Sequence, residues 1–375
     1  MARNFYLDLL RGLAILLVII HHLALSFRLP LNTSLLADYL PKRLLNGLSY
    51  NGYEAVFVFF VISGFLITKR ILQQYGELNA IHLKAFYWQR FSRIFPLLLA
   101  LLMVLSALHF TSWDDYHVAQ HGQNLPRALL AAFTMHLNWY EGQTSWLPPA
   151  WDVLWSLSIE ECFYLVFPLL CLTLPRRWLI AGLLLLAFSL PFTRAALAGN
   201  EIWQEKAYLP GVSGIAFGVL CALFLQRRQL TETWYRLAGL LGAAGLVAVF
   251  FWGALLWRYL HDGMMLVLCL SACLLVLAAA QAQPRQDLPG LNWLAQMGKL
   301  SYELYLSHML IVMPVFHLYQ WLLPGDARWH FLAYPPMLLA CAGLASWLER
   351  HLSNPARRWL LQRHADSQNA VSKPV

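Results

Sequence analysis

Charge is what this chain has least of. Asp, Glu, Lys and Arg make up 12% of its 375 residues, against 59% hydrophobic, and mean hydropathy is +0.52. That balance excludes a soluble globular protein of this length. The six cysteines, Cys162, Cys171, Cys221, Cys269, Cys273 and Cys341, include no C-x-x-C pair, and all fall in apolar runs. They indicate neither a disulfide framework nor a zinc site and read as small apolar filler. No small-x-small cleavage site follows the first apolar run, which excludes a removed signal peptide. No composition break marks a soluble domain at either end.

What the chain has is apolar runs long enough to span a bilayer, recurring about every 30 residues. They are approximately Leu9–Phe27, Glu54–Ile71, Phe95–Phe110, Trp155–Leu174, Trp178–Ala196, Tyr208–Leu225, Leu237–Trp257, Gly263–Ala282, Leu300–Gln320 and Phe331–Glu349. These predict an all-α integral membrane fold, a bundle of about ten transmembrane helices. The bundle occupies residues 5–351, and residues 352–375 form a cytoplasmic tail expected to be partly disordered, from Ala365 on. An even number of spans puts both termini on one side. With that side cytoplasmic, 19 of the 27 Lys and Arg fall inside, so the positive-inside rule selects this orientation. The net charge of +8 is then topology and not a nucleic-acid footprint.

The first run carries the most informative polar residues: it is apolar except for Arg11, His21, His22 and Ser26. At ~100° per residue, eleven positions make three turns plus about 20°, so Arg11 and His22 share a helix face, roughly 16 Å apart along the axis. His21 points about 80° off that line. Ionisable side chains in a bilayer are costly, and an aligned pair points to a pathway or a site. The plainer reading has Arg11 snorkelling to the headgroups and the histidines bonding between helices.

Four further segments carry chemistry. Arg90 and Arg93, three apart at the membrane mouth, share a face where guanidinium groups can clamp phosphates, or merely supply positive-inside charge. Ser63 and Gly64 form a small pair that admits a backbone or a narrow ligand. Ser156, Glu160 and Tyr164 make a polar stripe at i, i+4, i+8, with Glu161 about 100° away. Glu160 needs a partner, and His22 lies in the same outer half of the bilayer. The ninth span presents Ser301, Tyr305 and His308 on one face, with Tyr302 beside them.

Other features carry less. Trp139, Tyr140, Trp146, Trp151 and Trp155 read either as an interfacial belt or as a platform for sugar rings. Gly211, Gly214 and Gly218, like Gly239, Gly242 and Gly245, are spaced for close helix packing. His109-x-x-x-x-Asp114 matches the spacing of soluble glycerol-lipid acyltransferases, at a frequency expected by chance. Asp114, Asp115, His117 and His121 read as a solvated loop, and no metal is expected.

Together these segments resemble the membrane acyltransferase 3 family, bacterial integral-membrane enzymes that O-acylate glycans. The matching stretches are LDLLRGLAILLVIIHH (Leu7–His22), VFFVISGFLIT, the R-x-x-R of Arg90 and Arg93, WSLSIEECFYLVFP (Trp155–Pro168) and GKLSYELYLSH (Gly298–His308). They stand in family order and cover roughly Phe5 to Leu348. One departure is Phe57, where many relatives have an acidic residue, so that polar contact is absent or supplied by Glu54. Many relatives also carry a periplasmic esterase-like domain after the bundle. None is seen here, which implies direct acylation of the acceptor or transfer to a separate periplasmic transferase.

The resemblance implies a multi-pass protein of the bacterial inner (cytoplasmic) membrane, with acyl-CoA (acetyl-CoA) as co-substrate and no bound cofactor. The acceptor would be a hydroxyl of a glycan or lipid-linked saccharide; nucleic acid is not an expected partner. Donor phosphates would dock on Arg90 and Arg93 with help from Arg11, and Ser63 would line the donor path. His22 would act as general base toward the sugar hydroxyl, or accept the acyl group transiently. Glu160 would orient its imidazole. Tyr305 and His308 are the candidate oxyanion donors, with Tyr164, Ser301 and Tyr302 in support. The alternatives are transfer of a larger acyl group such as succinyl, or a transporter or flippase of lipid-linked saccharides. The ionisable spans do not correspond between the two halves, which argues against a transporter built on repeats.

Overall fold

In a bilayer every backbone polar group must be satisfied within the chain, and helices do so segment by segment. The computed structural model describes residues 4–25, 29–111, 113–120, 122–282, 288, 290–322 and 328–371, with side chains through His364, and has no strand among them. Helices α1 (Phe5–Leu25), α2 (Lys42–Tyr50), α3 (Gly52–Tyr75) and α4 (Leu83–His109) open the chain. A long connection holds α5 (Leu125–Phe133), α6 (Leu137–Gln143) and α7 (Pro149–Asp152). There follow α8 (Trp155–Thr173), α9 (Arg176–Phe188), α10 (Leu190–Ala196), α11 (Glu201–Lys206), α12 (Tyr208–Arg227), α13 (Glu232–Leu260) and α14 (Gly263–Gln281). The last are α15 (Asn292–Lys299), α16 (Ser301–Ser307), α17 (Met309–Leu322), α18 (Tyr334–Leu348) and α19 (Asn354–Val371).

The protein is an all-α integral membrane bundle. Among the described residues eight helical segments are long and apolar enough to cross a membrane, and nine if the bent pair α9–α10 counts as one span. That pair turns by 51°, with Pro191 in the first turn of α10. The ninth expected span is likewise not one helix: α16 and α17 meet at His308. There the imidazole Nδ1 lies 3.1 Å from the Leu304 carbonyl oxygen and 2.8 Å from that of Tyr305, competing for groups the helix ladder uses.

The centre of the bundle is α1, packed against α2, α3 and α14 to α17, while α3 lies along α12. Close approach of α3 and α12 depends on two glycines. A Cβ at Gly64 would stand 2.0 Å from the Ile215 carbonyl oxygen, and one at Gly218 only 1.9 Å from that of Val61. The small pair at Ser63-Gly64 therefore admits a neighbouring backbone.

Beyond residue 351 the chain turns through a π-helical segment (Glu349–Ser353) into α19, which packs on α4. The backbone is helical through Val371, and 372–375 lie outside the described residues. A polar composition overall had hidden a helix anchored by a few residues on one face.

Candidate active site

Two polar residues of α1 meet two residues of the ninth span. Arg11 Nη2 donates to Ser301 Oγ at 2.6 Å, and the His22 and His308 rings lie 4.8 Å apart between centroids. Ser301 and His308 are seven residues apart, about 20° short of two full turns, so they share a face as Arg11 and His22 do. The long arginine side chain takes up the remaining difference in axial spacing. Asp8 lies 4.0 Å from Arg11 Nη1 as a loose ion pair.

Hydrogen bonding assigns the histidine tautomers. His308 turns Nδ1 to two carbonyl oxygens, so Nδ1 carries the proton and Nε2 accepts. His22 Nδ1 is 2.7 Å from the Val18 carbonyl oxygen and 3.3 Å from His308 Nε2, and its N–H is shared between them. In the neutral ring Nε2 of His22 then keeps a lone pair, and among the described residues no hydrogen bond occupies it. This is the geometry of a general base whose orientation is fixed from behind. His308 is fully buried and its only free position accepts, so it steadies His22 and does not serve as an oxyanion donor. Tyr305, whose hydroxyl is 2.6 Å from Ser156 Oγ, keeps that possibility.

Glu160 is not where the helix-face argument put it. Its recorded partner is the Tyr164 hydroxyl, at 3.2 Å, and Tyr164 also touches Ser63 Oγ. The charges acting on it are those of Arg90 and Arg11, and no hydrogen bond joins it to His22. Spacing gives direction around one helix, but the side chain it meets is set by how deep the neighbouring helix sits. Arg90 stacks over the Tyr164 ring at 4.5 Å, with Glu161 and Arg93 also in electrostatic reach. Tyr302 faces elsewhere, donating to the Ile94 carbonyl oxygen at 2.7 Å, a helix-to-helix tie.

The carboxylate whose field does reach His22 is Asp152, at the end of α7. Asp152 is ion-paired to Lys206, which also binds Glu141 at 3.1 Å. Lys206 is 2% exposed and Glu141 fully buried, with the Trp146 ring 4.1 Å from the ammonium. Burial, and then the Asp152 charge, push the Glu141 carboxyl well above the usual carboxylate range. Helix-face reasoning missed this trio because its members lie in short connecting helices without a long period. A lysine whose stem must cross apolar residues was the available signal.

The result is a polar column through the bundle. Arg90, Tyr164, Ser63 and Glu160 touch in sequence, and the Glu160 charge acts on Tyr305. Tyr305 meets Ser156 and the His308 ring, His308 meets His22, and the charges of Asp152 and Lys206 act on His22. Other candidates fall outside it. His21 packs against Gly52, where a Cβ would stand 2.4 Å from its ring. Glu54 is buried beside the Arg194 charge, and Phe57 packs on Tyr53 and Phe60. Arg194 itself binds Asp262 at 2.9 Å and the Tyr53 hydroxyl.

The long connection between α4 and α8 carries contacts of its own. His109 stacks on His117 at 4.5 Å and accepts from the Val118 N–H, while Asp115 lies 2.5 Å from His317; His121 is outside the described residues. Trp151 and Trp155 are buried, leaving Trp139 and Trp146 exposed.

Comparison with known proteins agrees with this architecture. A Staphylococcus aureus (strain COL) protein provisionally named an O-acetyltransferase is 27% identical over 338 residues, covering 82% of this chain and 50% of its own length. The peptidoglycan O-acetyltransferase OatA of Listeria monocytogenes is 28% identical over 215 residues, 55% of this chain and 29% of OatA. The O-acetyltransferase OatA of Staphylococcus aureus (strain NCTC 8325) is 30% identical over 177 residues, 46% of this chain and 25% of OatA. The chain thus spans about half the length of the first of these relatives and less of the others. No solved structure matches significantly. The family model described as an acyltransferase domain matches residues 4–360, nearly the whole chain, which therefore belongs to the acyltransferase 3 family.

Proposed function

We propose that the protein is a membrane O-acetyltransferase that moves an acetyl group from acetyl-CoA to a hydroxyl of a cell-envelope glycan. The observation that carries this reading is the paired His22 and His308. Their tautomers leave one lone pair, on His22 Nε2, at the end of a polar column that begins with arginines. Family membership and the names of the relatives, one of them a peptidoglycan O-acetyltransferase, favour acyl transfer to a glycan.

The donor enters from the cytoplasm, on the side where positive-inside charge puts Arg90 and Arg93 in the bacterial inner membrane. Their guanidinium groups bind the phosphates, and the pantetheine arm follows the column inward past Ser63. His22 Nε2 removes the proton of the acceptor hydroxyl as its oxygen attacks the thioester carbon. The C–S bond breaks, and the CoA sulfur takes the proton from the imidazolium. The Asp152 carboxylate, its field partly countered by Lys206, offsets the imidazolium charge while it lasts, and Tyr305 donates to the thioester oxyanion.

The test is to compare envelope glycans by mass spectrometry with and without the gene, and with a His22→Ala allele. Loss of one acetyl mass per modified residue in both strains is expected. Loss of a succinyl mass would change the acyl group, and an unchanged modification pattern would favour transport of a saccharide.

A further inference from the structure

The basic end of the column contains more than the R-x-x-R pair. Arg70, on α3, donates through Nη2 to Gln89 Oε1 at 2.9 Å, beside Arg90. A shallow hollow opens there, lined by Ile67, Arg70, Gln74, Tyr75, Gln89 and Arg90. The fourth guanidinium comes from α19. That helix is fixed to α4 by Trp88, whose Nε1–H donates to the Leu360 carbonyl oxygen at 3.3 Å and whose ring stacks on His364 at 4.9 Å. Arg357 stands three residues before Leu360, about 4.5 Å back along α19. Arg90 and Arg93 stand roughly 3 and 7.5 Å forward along α4 from Trp88. The charges of Arg90 and Arg93 both act on Arg357, which puts it at their level if α19 runs back along α4 from the Trp88 contact.

Four guanidinium groups from three helices thus gather at one mouth of the bundle. Glu160 and Glu161 act on Arg90, but no carboxylate figures among the charges acting most strongly on Arg70 or Arg357; their charged neighbours are other arginines. Arg357 Nε is buried without a hydrogen-bond partner. Like charges held together this way repel, and an anion with several acceptor oxygens relieves that cost. The planar arginine fork suits phosphate oxygens in particular.

We propose that Arg70 and Arg357 complete, with Arg90 and Arg93, a binding site for the phosphate groups of a nucleotide donor, so that α19 is part of the donor site. This rests on the donor reading above. A lipid phosphate offers the same chemistry, and the experiment separates the two. Full-length protein in phosphatidylcholine nanodiscs is titrated with CoA, dephospho-CoA and pantetheine by calorimetry. The titration is then repeated in nanodiscs containing phosphatidylglycerol.

Arg70→Gln and Arg357→Gln should each weaken CoA binding about tenfold or more, since each removes a charge-assisted contact. Pantetheine affinity should stay unchanged, which separates a lost contact from a misfolded protein, and Arg357→Lys should recover part of the loss. The preference for CoA over dephospho-CoA should shrink in at least one variant. CoA affinity equal to wild type in both Gln variants overturns this inference and leaves the donor reading intact. So does a dependence on these arginines confined to phosphatidylglycerol nanodiscs, which would make the anion a lipid. A wild-type protein that binds no CoA at all overturns both.

Discussion

His22→Asn separates the two nitrogens of one imidazole. Its amide places an N–H near the position of Nδ1, where the ring now donates to the Val18 carbonyl oxygen and to His308 Nε2, and places nothing where Nε2 stood. Structure should therefore survive while chemistry does not. His308 Nε2 and the Val18 carbonyl keep a donor, so the variant should unfold within about 1 kcal/mol of wild type. His22→Ala leaves the His308 acceptor unsatisfied in the bundle and should cost about 1–3 kcal/mol more. Both lose the base, and acetyl transfer should fall by at least ~10²-fold in each. Protein in detergent gives the stability by thermal unfolding. Proteoliposomes loaded with labelled acetyl-CoA give the transfer. His21→Ala is the control, because His21 packs against Gly52 and meets the His22 ring only edge-on, and it should keep most activity. A His22→Asn enzyme within a few-fold of wild type would refute Nε2 as the base. Asn and Ala variants equally destabilised would refute the Nδ1 assignment.

Four further outcomes follow from the packing and the charge distribution. Lys206→Met should destabilise by about 3–5 kcal/mol in thermal unfolding, since it strands the buried Asp152 and Glu141 carboxyls without their cation. Glu141→Gln should be far milder: the folded protein holds this carboxyl above its unfolded pKa, so its stability contribution is full at low pH and fades as pH rises through the folded value. The fall in melting temperature as pH rises above the ordinary carboxylate range should accordingly flatten in that variant. Gly218→Leu should prevent accumulation of folded protein, scored by fluorescence-detected size exclusion, because its side chain would enter the Val61 carbonyl of α3. Topology reporters fused near Gln120 and after Gln368 should report opposite sides of the membrane, and agreement between them would overturn the assignment of Arg90 to the cytoplasm.

How far the site could be read before the fold was known depended on periodicity. Spans were legible because hydrocarbon thickness sets their length and the lipid demands internal hydrogen bonding. The faces holding Arg11 with His22 and Ser301 with His308 were legible because 3.6 residues per turn fixes direction within one helix. The contact of Ser301 with Arg11 and of His308 with His22 needed the depth of α1 against α16, which no spacing contains. For the same reason Glu160 was assigned to His22 when it belongs with Tyr164. Asp152, Glu141 and Lys206 come from connecting helices of four, seven and six residues, too short to show a period. Arg70 and Arg357 were visible only as members of the charge excess that the positive-inside rule assigns to one side. In a membrane protein that excess is a poor guide to function, because orientation alone accounts for most of it. What distinguishes a working arginine from a topological one is the company it keeps. Arg358 is exposed to solvent or headgroups and has no need of an anion, whereas Arg357, one residue earlier, is turned toward Arg90 and Arg93 with its Nε shut off from water.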